Sequence, residues 1–385
     1  MTRGGLATHV PRAGDFSFVL RRGVPVAVAS IALATLGSLA WPPEAQLPPD
    51  VPDFDPLEAL VRWDAGWYGE IAENGYWLRD GQQSPVAFFP LYPMAIAALS
   101  ETGLNRWISG SVIAFASALA GLAVFRRWAR GLARPHAEHA FWLLALYPFA
   151  EYLYGVVYSD ALFLALTVAA FSALEDDRPW LAMLLGALAT ACRPVAPAVV
   201  LGLVVRAVER RRAAGQRVRA VELLPALAAL GLLGYMTYLG VAFGDPLAFA
   251  HIQGAPGWDQ PPGWESWLKL KALREIASGS VGLPVIARLG AHALVTVLAL
   301  ALVVPTWKRL GAGYGLYCLA VVAIPAVSSK DFQGLGRYVI AAFPLFLTAA
   351  MLLAGRPRAR VAVYLVSALG LACCAVLLGA GVYVA

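Results

Sequence analysis

VAVYLVSALGLACCAVLLGAGVYV, residues 361–384, contains no Asp, Glu, Lys, Arg or His. A helix needs roughly 20 apolar residues to cross the hydrocarbon core of a bilayer, so this stretch alone is long enough. Residues 22–42, 221–242 and 284–305 have the same character. None alternates polar with apolar residues as a barrel strand must, whereas a helix satisfies its own backbone groups in lipid. Working outward, the 385-residue chain is 59% hydrophobic and 14% charged, against roughly 25% charged in an ordinary soluble domain. The expected class is an all-α polytopic membrane protein with about 9 to 11 transmembrane helices, read as one domain over residues 1–385. The first span follows Arg3, Arg12, Arg21 and Arg22 and ends at Trp41-Pro42-Pro43, the pattern of an uncleaved signal anchor.

Charge orients the chain. The net charge of +6 is spread over short loops: Arg126, Arg127, Arg130 and Arg134; then Arg206, Arg210, Arg211, Arg212, Arg217 and Arg219; then Lys308 and Arg309; then Arg356, Arg358 and Arg360. This is the positive-inside bias, so these loops are expected in the cytoplasm and nucleic acid is not an expected partner. Residues 43–87 hold nine Asp or Glu against Arg62 and Arg79, and are expected outside the cytoplasmic membrane. Cys192, Cys318, Cys373 and Cys374 lie in or beside apolar stretches without metal-ligand spacing and read as packing residues.

Two segments do not thread as full crossings. Residues 88–100 are too short to span comfortably, so they read as a half-depth segment bent at Pro90 and Pro93. Residues 180–205 begin after the turn EDDRP and must return before the Arg-rich loop at 206. Because Pro194 interrupts a helix midway, a hairpin with Arg193 near its tip reconciles both ends. Non-helical backbone at that depth is tolerated only against protein or a water-filled cavity, so Arg193 is expected to line a cavity. The amino terminus is then inside, the carboxyl terminus outside, and two large external loops cover 43–107 and 244–283. The second contains WESWLKLKALREIA (264–277), whose Trp264, Trp267, Leu268 and Leu270 suit a helix lying on the membrane surface.

On this topology Asp64, Glu70, Glu73, Asp160, Arg193, Lys330, Asp331, Gln333 and Arg337 converge on one face. A charge at mid-bilayer costs roughly 2.5–3.5 kcal/mol, so such residues are functional candidates. The fitting chemistry is group transfer from a lipid-linked phosphate. Asp64 would serve as general base, and Arg193, Lys330 or Arg337 would stabilise the phosphate leaving group. Trp63, Trp67, Tyr68, Tyr76 and Trp77 would offer faces to a sugar. Each has a plainer alternative. The aromatics suit an interfacial belt, and Glu70 with Glu73 suit the wet face of a short helix. Asp160 beside Ser159 suits a helix cap, and Arg337 suits an anchor reaching toward headgroups. A lipid or solute transporter, or flippase, also places charge at membrane depth, and a non-catalytic scaffold is a third class. External carboxylates can hold a divalent cation, but no ligand spacing identifies a metal site, and no cofactor is assigned.

The run RWDAGWYGEIAENGYW (62–77) followed by PVAFFPLYP (85–93) resembles the first luminal loop of the PIG-V family, that is GPI mannosyltransferase II and its bacterial relatives. The resemblance continues in order through YPFAEYLYGVVYSDALFLAL (147–166), TACRPVAPAVVL (190–201), GDPLAFAHIQ (244–253) and GRYVIAAFPLFL (336–347). It implies a GT-C-type glycosyltransferase of the cytoplasmic membrane with an outward-facing site. The implied donor is a polyprenyl or dolichyl phosphate-linked mannose, the acceptor a glycolipid or glycan, and the transfer inverting. By position Asp64 becomes the catalytic base. Gln253, at the end of GDPLAFAHIQ, joins Asp160, Arg193, Lys330, Arg337, Trp63, Trp67 and Tyr68 as candidate donor-phosphate or substrate contacts.

Overall fold

The computed structural model describes residues 13–43, 47–260 and 262–384, so Arg3 and Arg12 of the amino-terminal basic cluster lie outside the described residues. Every regular element among them is helical. Helix α1 (Ala13–Ala40) leads into a first loop region with α2 (Asp55–Leu60), α3 (Asp64–Asn74) and α4 (Leu91–Ser100). Helices α5 (Arg106–Ala133), α6 (Ala137–Ala145) and α7 (Asp160–Glu175) follow, then the pair α8 (Pro179–Thr190) and α9 (Ala196–Ala213). A 3₁₀ stretch, Ala220–Ala229, runs into α10 (Leu230–Phe243). The second loop region carries α11 (Ala248–His251), α12 (Trp264–Trp267) and α13 (Leu270–Ala277). The chain finishes with α14 (Leu283–Leu310), α15 (Ala312–Ser328), α16 (Leu335–Ala341), α17 (Pro344–Leu352) and α18 (Pro357–Gly379).

Ion pairs gather one end of the bundle. Asp15, buried at the start of α1, takes Arg126 and Arg130 from the end of α5. Glu175, ending α7, takes Arg206 Nε at 2.7 Å and Arg210 from α9, while Glu209 accepts the Ala312 N–H that opens α15 at 2.7 Å. Arg360, near the start of α18, donates to His139 at the start of α6 at 3.0 Å. Arg130 and Arg210 sit in the last turns of α5 and α9, where a cation complements the helix dipole. The basic clusters at 126–134, 206–212 and 356–360 therefore share one end, and the two loop regions occupy the other.

Both ends of the α8–α9 pair lie at the basic end, since Arg178 precedes α8 and Arg206 and Arg210 reach back to Glu175 from α9. Its 12 residues make α8 about 18 Å long at roughly 1.5 Å per residue, little more than half of a bilayer core of roughly 30 Å. The helix stops where Pro194 removes a backbone donor, leaving Arg193 at the tip. The 10-residue α4 is equally short. The Leu91 N–H that begins α4 bonds the Ala191 carbonyl at 3.0 Å, so the two short elements meet inside the bundle.

Among the described residues five helical stretches, Gly14–Ala40, Arg106–Ala145, Ala220–Phe243, Leu283–Leu310 and Pro357–Gly379, are each long and apolar enough to cross a membrane. The pair α16–α17, bent by 86°, adds a sixth if counted as one broken span. The count is lower than the sequence expectation because α7 and α15 fall short of a full span by length and the α16–α17 passage is interrupted at Pro344. Leu36 on α1, Val241 on α10 and Leu369 on α18 are largely exposed, an apolar outer surface suited to lipid. Against this lipid-facing side, α1 and α18 touch backbone to backbone, because a Cβ at Gly37 or Gly379 would strike the Val376 or Ala34 carbonyl. Small residues permit such approach between membrane helices.

This arrangement places the 101–105 turn and the 214–219 loop at opposite ends. Thr102→Cys and Gln216→Cys are expected to react with a membrane-impermeant maleimide from opposite sides of sealed vesicles. Labelling of both from one side would contradict the hairpin.

Candidate active site

The site is built where α3, α7, the α8–α9 tip and α16 meet. Asp64 and Asp160 each open a helix, α3 and α7, where the dipole favours a carboxylate. Arg337, 8% exposed, lies between them. Its Nη1 donates to Asp64 Oδ2 at 3.3 Å, and its Nε lies 3.7 Å from Asp160 Oδ1. Arg193, 5% exposed at the hairpin tip, pairs with the same Asp160 oxygen. The four charges therefore form one chain, Asp64, Arg337, Asp160, Arg193. Aromatic faces line it. The Arg193 guanidinium stands 4.9 Å from the Tyr338 ring, and that of Arg337 stands 5.0 and 5.4 Å from Tyr158 and Tyr152. Cations are attracted to such ring faces. Asp160 Oδ2 and the Tyr152 hydroxyl are buried without a hydrogen-bond partner among the described residues, so hydrogen-bonding capacity remains.

Asp64 is fixed by its neighbours in sequence. Arg62, buried, donates to Ser38 Oγ of α1 at 3.1 Å and to the Gly379 carbonyl of α18 at 3.4 Å. Trp63 then adopts φ 43°, a region that costs a non-glycine residue about 1–3 kcal/mol and persists where the surroundings hold it. Its ring meets Tyr383 edge-on at 5.0 Å. Past this bend the Asp64 N–H donates to the Tyr158 hydroxyl at 3.1 Å. Burial pushes the Asp64 carboxyl above the usual carboxylate range, and the Arg337 guanidinium pulls against that shift.

The other candidates fall into place around this core. Tyr68 is buried, and its hydroxyl shares a hydrogen bond with Ser159 at 2.9 Å. Ser159 thus faces the site instead of capping α7, and Asp160 serves ion pairs beyond its place in the first turn. Trp67 packs with Phe88, Trp77 and Trp258 at 5.7 to 6.2 Å, forming an aromatic wall beside α3. Glu70 accepts from Trp77 and Asn74, and Glu73 pairs with Arg106, so both carboxylates brace the loop. Lys330 is held away from the four-charge chain: its Nζ donates to the Trp258 carbonyl at 2.9 Å and its N–H to Gln260 Oε1 at 3.1 Å. Gln253 folds back on the Phe249 carbonyl. Arg337 is buried among ring faces and carboxylates, which replaces the headgroup-anchor alternative. Among the described residues no group of three or more His, Cys, Asp or Glu gathers into a metal site.

Sequence reading passed over Arg62, Tyr152, Tyr158, Trp258, Tyr338 and Tyr383. The adjacency of Arg62 to Trp63 and Asp64 was a usable signal. Tyr383, at the far end of the chain, offered none. Toward the basic end, Phe171, Tyr317 and Phe343 pack with centroids 5.0 to 5.7 Å apart, an aromatic plug between the charges and the Glu175 network. Two cavities lie apart from the charges: about 480 Å³ along α10, lined by Leu233, Met236 and Val241 among others, and about 130 Å³ at the basic end beside Arg127 and Glu175.

The fold is similar to the crystal structure of ArnT from Cupriavidus metallidurans bound to undecaprenyl phosphate, with TM-score 0.51 and 15% identity over 94% of this chain and 74% of that one. The architecture is therefore an all-helical membrane-protein fold shared with that structure. Residues 53–239 match the sequence model of the mannosyltransferase (PIG-V) family, a similarity that covers just under half of the chain. The human GPI alpha-1,6-mannosyltransferase 2 is 35% identical over 149 residues, as is the Cricetulus griseus protein of the same name. The aligned part is 36% of this chain and 29% of each relative, so the chain spans under a third of the curated relatives it matches.

Removing one partner of a buried ion pair costs about 3–5 kcal/mol. Asp160→Ala is expected to destabilise the protein by that amount, and Asp160→Ala with Arg193→Met to recover part of it, measured by thermal unfolding in detergent. Additive losses would show that the pair is not coupled.

Proposed function

We propose that the protein is a glycosyltransferase that moves mannose or a similar hexose from a polyprenyl-phosphate donor to a glycolipid or glycan acceptor on the outer face of the membrane. The observation that carries the reading is the chain of Asp64, half-buried, with the buried Arg337, Asp160 and Arg193 at the end opposite the basic loops. The match of 53–239 to a mannosyltransferase family supports the sugar transfer, and the undecaprenyl phosphate bound to ArnT in its crystal structure supports a lipid-phosphate donor. A site outside the cytoplasm has no nucleotide sugar at hand and takes its sugar from a lipid carrier. The positive-inside bias supports that orientation.

In this mechanism the acceptor hydroxyl oxygen attacks the anomeric carbon from the face opposite the phosphate. The new glycosidic bond forms as the bond to the phosphate oxygen breaks, so the anomeric centre inverts. The leaving phosphate keeps the electron pair, and Arg193 and Arg337 stabilise its charge through charge-assisted hydrogen bonds. The hydroxyl proton passes to Asp64. Trp67, with Trp63 and Tyr68, offers ring faces to sugar and acceptor. Arg337 touches Asp64 in the resting site and also reaches Asp160, so phosphate binding and release of the base are one event.

Asp64→Asn is expected to lower kcat for transfer from polyprenyl-phosphate mannose by about 10²–10⁴-fold, the usual worth of a general base, while the protein still accumulates in the membrane. Turnover near wild type would remove Asp64 from that role. Only the anionic carboxylate accepts a proton, and burial raises its pKa. Activity therefore falls with decreasing pH at a higher pH than an ordinary aspartate would give. Arg337→Gln removes the opposing pull present in the free enzyme and moves this acid limb higher still, read from kcat/KM against pH.

A further inference from the structure

Arg337 is reached from α15 through residues 329–334, which have no regular structure. The segment is gripped by residues of the second loop region. Lys269 is 5% exposed and stands between α12 and α13 at φ 57°. Its Nζ donates to the Ser329 carbonyl and to Ser329 Oγ. One residue on, Lys330 is held by Trp258 and Gln260. On the far side of that segment, the Gly336 N–H donates to His292 Nδ1 at 3.0 Å, and its carbonyl accepts from the Tyr147 hydroxyl at 2.9 Å. Trp258 itself packs on Trp67 and Phe88 of the first loop region. The second loop region therefore touches the aromatic wall with one side chain and the approach to Arg337 with another.

Helices α12 and α13 expose large apolar side chains beside their charged ones. Trp264, Trp267, Leu268 and Leu273 are exposed, while Lys269 is turned inward and buried. A buried ammonium is costly unless it is hydrogen-bonded, so Ser329 is what holds this lysine in place. Direct contact with substrate is left to Arg337.

We propose that Lys269 is a positioning residue: by tying the second loop region to Ser329 it fixes the segment 329–334 and so sets Arg337 against Asp64 and the donor phosphate. This rests on the reading of Arg337 as a phosphate contact. Burial also pushes the Lys269 ammonium down to about 8, opposed by Asp331 across the same turn. Lys330 on that turn points to Trp258 and Asp259, and Glu265 and Lys271 on its own helices are exposed. The charged, tethering form is thus present below about pH 8 and lost as the pH rises through it.

The test compares wild type, Lys269→Met and Lys269→Arg in lipid nanodiscs. Hydrogen–deuterium exchange at 329–337 needs no activity. Faster exchange there in Lys269→Met, with wild-type exchange in Lys269→Arg and in α14, is expected. Equal exchange in all three overturns the tether, whether or not the protein transfers sugar. With polyprenyl-phosphate mannose as donor, Lys269→Met is expected to raise KM about tenfold and to lower kcat as well, because Arg337 meets the phosphate both before and during its departure. Wild type is expected to show a rising donor KM above about pH 8 that Lys269→Arg lacks. Faster exchange without any change in KM would overturn the positioning role, and absence of transfer in wild type would fail the glycosyltransferase reading and leave the exchange result to decide the tether.

Discussion

Two guanidiniums, Arg193 and Arg337, sit inside a bundle whose outer surface is lipid-facing, and Asp160 is the carboxylate they share. An unpaired charge in such a place is strongly disfavoured, so several features of the chain meet the same need. Helix α7 begins at Asp160, where its dipole helps hold the anion. The α8–α9 hairpin stops at the depth that brings Arg193 to it. Helix α16 is broken from α17, which lets Arg337 project between Asp160 and Asp64. A buried ion network contributes little net stability compared with well-packed apolar residues, and the proposed phosphate site accounts for its presence.

The strain at Trp63 belongs to the same constraint. Asp64 must leave the end of α1 and α18, where Arg62 is anchored, and still point into the bundle. The left-handed bend at Trp63 makes that turn, with Tyr383 and Tyr158 holding it on either side. Asp64 thereby becomes the first residue of a helix instead of one more acid on a loop. Glu70 and Glu73, further along the same helix, are taken up by Trp77, Asn74 and Arg106.

Much of this was legible in the sequence, for physical reasons. Hydropathy and loop charge gave the class. The conflict between the Arg126–Arg134 and Arg206–Arg219 clusters and the intervening apolar lengths exposed α4 and the α8–α9 hairpin, because a short helix cannot cross. Asp64, Asp160, Arg193 and Arg337 were found because charge is rare at membrane depth. The misplaced emphasis has equally plain causes. Lys330 lies on the expected turn, but nothing local shows that its ammonium would reach Trp258. Lys269 looked like the polar side of an amphipathic helix, and only the break at φ 57° turns it inward. Tyr383 and Tyr152 approach the site through contacts remote in sequence, which periodicity does not encode.

The central claim is that the charged chain at the Asp64 end binds the phosphate of a lipid carrier. A structure of the protein in nanodiscs with polyprenyl phosphate tests it most directly. Phosphate oxygens are expected within hydrogen-bond reach of both Arg193 and Arg337, with the Arg337 contact to Asp64 given up and the Asp64 carboxylate open toward the acceptor side. Phosphate bound at the basic end beside Arg127 or Arg206, with the Asp64–Arg337 pair intact, would contradict it.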